Sequence, residues 1–400
     1  MAERPPFLWG AATSSHQVEG HQHNDWTQWE AEGRTRESSG RAADHWRLWH
    51  QDFKLLTQLS LNSYRFSLEW SRIEPAPGQF DQNALAQYRA MVIRLKELHI
   101  TPLITLHHFT LPLWLAQRGG LYNPDACHWF ARYVNTIIQS LGDSVDLYIT
   151  LNEPMVLVIM GYIMAMWPPG GHGFTRALKL INRLAQIHQT AYHTIKERQP
   201  QAQVGLAHHL IAFEPWRPHM ADRATANVLH YLMNDRFIKL VGDTQDFIGV
   251  NYYTRQYAHW SRGLHPIQNR SRGVLTDMGW EVYPEGLLQV LRRVKHYQKP
   301  ILITENGIST GNDALRTRYL EDHLNMVGAA QQEGLDVRGY FYWSLLDNFE
   351  WAEGFGPRFG LVDVNYETLE RKIRPSAYRY RDIIRANSGN PPIIVPSMSQ

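Results

Sequence analysis

Two glutamates occupy positions from which a carboxyl group could do chemistry. Glu153 lies in Thr150-Leu151-Asn152-Glu153-Pro154, and Glu305 lies in Ile303-Thr304-Glu305-Asn306-Gly307. Each directly follows a short apolar run, and each has an asparagine beside it. Two carboxyls on opposite sides of one bound molecule are what glycosidic cleavage requires. The transition state resembles an oxocarbenium ion, so one carboxylate meets positive charge at the anomeric carbon while the other carboxyl protonates the departing oxygen. A separation of about 5–5.5 Å makes the first a nucleophile, and a wider gap admits water and inverts the product. Taken singly, a glutamate at a strand end is more often a helix cap or an arginine partner. Two of them, each beside an asparagine and each closing an apolar run, shift that balance toward a site.

Such residues need a frame. Short, nearly uninterrupted apolar runs predict strands at 7–10, 62–66, 101–106, 147–151, 203–207, 247–251, 301–304 and 337–342, as expected of strands buried on both faces. Helical patterns fall between them. Trp46, Trp49, Phe53, Leu56 and Leu59 form one stripe, Met91, Leu95 and Leu98 a second, and Ala177, Ile181, Leu184 and Ala191 a third. A fourth, Leu287, Leu288, Leu291 and Val294, follows Pro284-Glu285, a good helix opening. Eight strands alternating with helices imply parallel βα units closed into a (β/α)8 TIM barrel of the α/β class. Glu153 and Glu305 then sit at the C-terminal ends of strands four and seven, on different sides of the mouth where such barrels carry their chemistry.

No Gly/Ser-rich linker, low-complexity tract or charge block divides residues 1–400, which read as one catalytic domain. Segment 255–280 is long and rich in Gly, Arg and Ser, and predicts a functional loop. The proline-containing tail from about 387 is expected to be loose. Forty basic and 38 acidic residues are interleaved, so no footprint for nucleic acid or an anionic membrane appears, and no apolar run approaches a membrane span. With a single cysteine, Cys127, no intrachain disulfide forms; together with an N-terminus that lacks a secretory pattern, this points to a cytoplasmic protein. Fourteen Trp and 19 Tyr lean toward carbohydrate, whose C–H faces match aromatic rings. Paired histidines (His21/His23, His107/His108, His208/His209) raise a metal reading, but no His-Glu-x-x-His or Cys-x-x-Cys spacing supports it, and no dinucleotide or phosphate loop is present. Neither a metal nor a cofactor is expected.

The chain closely resembles glycoside hydrolase family 1, the β-glucosidases and their relatives, from Phe7 to about Tyr380. Beside the two glutamate segments, four stretches match in order: Phe7-Leu8-Trp9-Gly10-Ala11-Ala12-Thr13-Ser14, Tyr64-Arg65-Phe66-Ser67, Thr276-Asp277-Met278-Gly279-Trp280-Glu281, and Trp343-Ser344-Leu345-Leu346-Asp347-Asn348-Phe349-Glu350-Trp351. The resemblance implies a retaining β-glycosidase. By it, Glu305 attacks the anomeric carbon, and Glu153 protonates the leaving oxygen and then activates water. Glu153 is therefore expected to start protonated and Glu305 ionised, the latter assisted by Arg65 and Tyr253. The same resemblance assigns Gln17, His108, Asn152, Asn251 and Glu350 to the sugar hydroxyls and Trp343, Trp351, Phe359 and Trp280 to the walls. It implies a small β-glycoside or short oligosaccharide as substrate, a glucoside first, with galactosides and fucosides as further candidates.

Glu350-Trp351-Ala352-Glu353 places carboxylates where the branch acting on 6-phosphorylated sugars holds its phosphate, so an unphosphorylated glycoside is expected. Phe109 stands where many relatives have Trp, which removes an indole N–H donor from the sugar site. Met155 follows Pro154 where many relatives carry another residue facing the leaving group, and an adaptable thioether there suits a permissive aglycone side. Two alternatives are a carbohydrate-binding barrel, which would lack one glutamate, and a transglycosylating barrel, which differs only in its acceptor.

Overall fold

The structure is a computed structural model, and it describes residues 6–261, 266–268, 270–387 and 392–396. Eight parallel strands close into a barrel: β1 (Leu8–Ala12), β2 (Ser63–Ser67), β3 (Thr101–His107), β4 (Leu147–Asn152), β5 (Gln203–His209), β7 (Phe247–Asn251), β10 (Ile301–Asn306) and β11 (Val337–Trp343). Neighbours in sequence are neighbours in the barrel, and β11 closes on β1 through Leu8 opposite Gly339 to Ala12 opposite Trp343. All eight predicted strands are present. Seven of them run one or two residues further at the C-terminal end than the apolar runs suggest, because the residues there continue the ladder into the mouth.

Small residues let the barrel fill its own interior. A Cβ on Gly10 would stand 2.3 Å from the Phe341 ring, and one on Gly205 would stand 2.6 Å from the Phe247 ring. Phe247 and Phe341 therefore pack inward with Leu103, Ile149 and Leu302 as a plug beneath the mouth. Outside the strands, the helices seal a larger core through the predicted stripes. Trp49, Phe53 and Leu56 are buried on helix His45–Gln58, and Leu287, Leu291 and Val294 are buried on helix Pro284–Val294. Helix Asp313–Gln332 begins at Asn312, whose side chain accepts from the Ala314 and Leu315 amides.

Two sequence expectations need correction. Segment 255–280 is not a plain loop. Arg255–Ala258 (β8) pairs parallel with Ala212–Pro215 (β6) and antiparallel with Ile267–Gln268 (β9), making a small sheet beside the mouth. Tyr257 and Ala258 bury against it, which is why this polar segment takes extended form. Nor is the described part of the tail loose. Ile393 is buried, its N–H donates to Gln331 Oε1 at 2.9 Å, and its carbonyl lies where a Cβ on Gly328 would be, 2.3 Å away. The apolar side chain among the prolines docks on helix Asp313–Gln332. No described helix is long and apolar enough to cross a membrane.

Candidate active site

The C-terminal ends of the strands converge on a pocket of about 520 Å³. Its inner end is built on one hydrogen-bonded hub. Arg65, buried on β2, donates from Nη1 to Glu305 Oε1 (2.5 Å) and to the Thr304 carbonyl (3.0 Å), and from Nη2 to Asn152 Oδ1 (2.7 Å). Asn251 Nδ2 donates to the same Asn152 oxygen (3.2 Å) and to Glu153 Oε1 (2.8 Å). Thr304 fixes Asn251 by donating to its Oδ1 at 2.6 Å. The two carboxyls are thus tied through three shared side chains from β2, β4 and β7, and rotating one disturbs the other. Tyr253 completes Glu305 by donating to Oε2 at 2.6 Å.

Glu153 leaves β4 with φ +44°, a left-handed conformation that costs on the order of 1–3 kcal/mol for a non-glycine residue. It directly precedes Pro154, the first residue of helix Pro154–Val158. This turn swings the carboxyl off the strand axis and over the pocket. The Glu153 amide is satisfied by the Ala207 carbonyl at 2.8 Å.

The electrostatics follow from one buried guanidinium, two buried carboxyls and a third, Glu350, that is partly buried. Burial lifts Glu305 to about 7 against Arg65, and the charge of Glu153 adds to the lift. Burial and both neighbouring carboxylates lift Glu350 to about 8, so at neutral pH it carries a proton. Burial also acts to raise Glu153, but His209 outweighs it, with help from the Asn251 hydrogen bond and Arg65, and the carboxyl sits below its usual range. His209 Nδ1 is 3.3 Å from Glu153 Oε1, and its own pKa is raised by Glu153 and Glu305 against burial. These directions reverse the expectation of a protonated Glu153 beside an ionised Glu305. For Glu305 the cause is burial, and for Glu153 it is His209, which ends β5 two residues beyond the predicted strand and which the sequence offers only within a histidine pair weighed for a metal.

The other expected residues divide into two groups. His108, Phe109, Asn152, Tyr253, Trp280, Trp343, Glu350, Trp351 and Phe359 line the pocket with the two glutamates. Arg65, Gln17 and Asn251 lie behind it. Gln17, expected at the sugar hydroxyls, donates to Asn348 Oδ1 (3.0 Å) and Glu350 Oε2 (3.3 Å), and so holds Glu350. His108 bonds Asn152 through Nε2 at 3.1 Å, and burial beside Arg65 keeps it neutral. Its Nδ1 has no partner among the described residues, which suits a hydroxyl group. Trp343 and Trp351 lie nearly parallel to His108, 5.8 and 6.0 Å away, and Phe109 packs edge-on between Trp167 and Trp351. Phe109 thus fills space at the wall without offering a donor.

The sequence reading misses the outer lining: Val156, Ile159, Met160 and Met166 on one side, and Ile211, Met233, Ile267 and Met278 on the other. No short motif marks these residues, since they come from five separate segments. Among the described residues the lining contains no Lys or Arg. Among the described residues no three His, Cys, Asp or Glu side chains are placed to share a metal ion.

The model of glycosyl hydrolase family 1 matches residues 4–241 and 229–389. The chain belongs to that family. It is 32% identical to a β-glucosidase A from Acetivibrio thermocellus, over 95% of this chain and 98% of that protein. Among solved structures, a β-glycosidase from Pyrococcus horikoshii shares 40% identity with a TM-score of 0.90, covering 95% of this chain and 94% of its own. A Thermotoga maritima β-glucosidase in complex with deoxynojirimycin shares 31% identity with a TM-score of 0.92, covering 97% and 99%. This family 1 chain is a glycoside hydrolase on a (β/α)8 barrel.

Proposed function

We propose that this family 1 chain hydrolyses terminal, unphosphorylated β-glycosides with retention, through a covalent glycosyl-enzyme. The observation that carries this reading is the hub: Glu305 and Glu153 are held by Arg65, Asn152 and Asn251 at the inner end of one aromatic-lined pocket. Glu305 is the nucleophile. Arg65 and Tyr253 both donate to its charged form, and their donation opposes burial at the atom that must attack. Glu153 is the acid and then the base.

The proton for the first step is at hand. Ionised Glu153 beside protonated His209, and protonated Glu153 beside neutral His209, hold the same number of protons. A leaving oxygen that needs a proton draws on the second form. Once Glu305 is esterified its negative charge is gone, Glu153 loses a like-charged neighbour, and its carboxylate is better suited to take a proton from water.

The sugar ring lies against Trp343, with His108, Asn152 and Glu350 toward its hydroxyls. Protonated Glu350 repels a phosphate less than a carboxylate would, so the preference for an unphosphorylated ring rests on Glu153, Glu305 and Glu353 and on a lining without Lys or Arg among the described residues. β-Glucosides fit first, with β-galactosides and β-fucosides as further substrates, since Glu350, held from behind by Gln17, serves either 4-hydroxyl. On the strength of one cysteine in 400 residues, we place this activity in the cytoplasm.

The test is Glu305→Ala assayed on aryl β-glucoside. Hydrolysis should fall by about 10⁴-fold or more, as for other catalytic nucleophiles, and partial rescue by formate or azide should give a product of inverted configuration. A variant that keeps its rate, or that no small anion rescues, removes Glu305 from the nucleophile's role.

A further inference from the structure

A second cavity, of about 660 Å³, lies beside the catalytic pocket of about 520 Å³. Among the described residues Phe109 alone lines both, and no group of the hydrogen-bonded hub reaches the second one. Its walls are helix Asp25–Ala31, the short turn Gly120–Tyr122, the π-helical turn Ile159–Ile163 with the loop after it, and helix Phe174–Arg198. That loop is pinned to the π-helical turn. The Gly171 N–H donates to the Gly161 carbonyl at 3.0 Å and the Gly173 N–H to the Tyr162 carbonyl at 3.2 Å, which fixes Tyr162 at the wall. Gly170, with φ +68°, lets the loop close on Trp29: a Cβ there would stand 2.6 Å from the indole ring. Leu111, Leu121, Leu157 and Leu180 supply the apolar part of the lining.

The polar part has partners to spare. Asp25 Oδ1 accepts from the Leu111 N–H at 2.8 Å, whereas Oδ2 has no side-chain partner and no cation pairs with the carboxyl among the described residues. Burial lifts this carboxyl to about 8 against the Leu111 hydrogen bond, so at neutral pH it both donates and accepts. The Tyr122 and Tyr162 hydroxyls and the Arg176 guanidinium also have no hydrogen-bond partner among the described residues. Burial raises Tyr162, and Asp25, Tyr122 and Arg176 all act on it, so the four groups converge on one space. Arg34 lies over the Trp29 ring at 4.1 Å and pairs with Glu32 at 3.4 Å. Two arginines thus stand among two acidic side chains, and the lining has no formal net charge to select an ion. An anion would meet Asp25 and Glu32, and a cation would meet Arg34 and Arg176. Hydroxyl groups donate and accept alike, and a ring with C–H faces suits the Trp29, Tyr122 and Tyr162 side chains.

We propose that this cavity is a second, non-catalytic saccharide site, which takes a neutral mono- or disaccharide between Asp25, Tyr122, Tyr162 and Arg176. It stands apart from the glycosidase reading, because none of these four side chains belongs to the hub around Glu153 and Glu305. A sugar bound here touches the catalytic pocket only through Phe109, which packs edge-on between Trp167 and Trp351.

The test is amide hydrogen exchange read by mass spectrometry on the full chain, titrated with glucose and with maltose, whose α-linkage keeps it from β-glycosidase turnover. Exchange is local, so protection in segments 25–34, 117–123 and 174–180 reports this cavity separately from the strand ends around the glutamates. Both sugars should protect those three segments. In Tyr122→Phe/Arg176→Gln the half-saturating concentration there should rise by about tenfold or more, the loss of one neutral and one charge-assisted hydrogen bond. The same variant should hydrolyse aryl β-glucoside at the unaltered rate when no other sugar is added, which also shows that it folds. Absence of protection in the three segments at saturating sugar overturns the site, and so does protection that survives in the double variant. Equal protection by inorganic phosphate or by tetramethylammonium would mean an ion site and overturns it as well. Each of these results leaves the roles of Glu153 and Glu305 untouched.

Discussion

The inner and outer halves of this pocket are made by different means. At the inner end, side chains on β2, β4, β7 and β10 meet in a fixed network: Arg65, Asn152, Asn251 and Thr304 share their hydrogen bonds and leave the two glutamates little freedom. At the outer end, side chains come from the π-helical turns Ile159–Ile163 and Tyr231–Asp235 and from the small sheet of β6, β8 and β9, and most are aliphatic or Met. The first half fixes geometry through directional bonds that fail together. The second offers area, which is nearly additive and tolerant of change. Strand ends supply precision because the barrel ladder holds them on both sides, whereas the turns beyond them are held by a few contacts such as Asn234 to Ile211.

Breaking the inner half should therefore cost far more than trimming the outer half. The largest effect in this comparison is expected from Glu153→Ala. On glycosides with poor leaving groups, kcat/KM should drop by about 10²–10⁴-fold, the usual worth of general acid catalysis, while activated aryl glycosides lose much less. Equal losses on both would mean that Glu153 does not deliver the proton. Next comes Glu350→Ser, which removes several hydrogen bonds worth about 0.5–1.5 kcal/mol each and frees Gln17. A drop of about tenfold or more in glucoside turnover is expected, and an unchanged rate would take Glu350 out of the sugar site.

The smallest effect sharpens the comparison within the inner half. His209 faces Glu153 at 3.3 Å, stacks on Tyr253 and also feels Glu305. A proton with two seats leaves at higher pH than a proton with one. With His209→Asn, the pair's second seat is gone, so the alkaline limb of kcat/KM should move to lower pH. Below that limb the rate on poor leaving groups should rise, by about threefold for half a pKa unit, because the proton no longer rests on His209. The acid limb should stay above the ordinary carboxylate range, since burial still holds Glu305 at about 7 and the nucleophile must be ionised. A uniform loss at every pH would show that His209 merely packs.

Much of this architecture is legible before folding. The eight strands announce themselves because residues buried on both faces must be apolar, and the two glutamates stand out because they end such runs. The Asn-Glu-Pro and Glu-Asn-Gly segments carry their roles in local chemistry, and so does Pro284 at the start of its helix. Segment 255–280 misleads for the opposite reason: its strands are short, half-buried and paired with Ala212–Pro215, a partner no local pattern reveals. Ile393 likewise reads as part of a loose tail until Gln331 and Gly328 are seen beneath it.

By itself the sequence determined the barrel, the two acidic side chains and the family, because each depends on residues adjacent in the chain or repeating at a fixed period. Only the tertiary structure decided that Arg65 ties Glu305 to Asn152, that Gln17 stands behind Glu350, that His209 comes within 3.3 Å of Glu153, and that Met and Ile from two distant turns line one pocket. Those are distances between segments tens to hundreds of residues apart. Burial and charge act through space, so a residue's proton or its apolar surface acquires meaning only when its neighbours arrive.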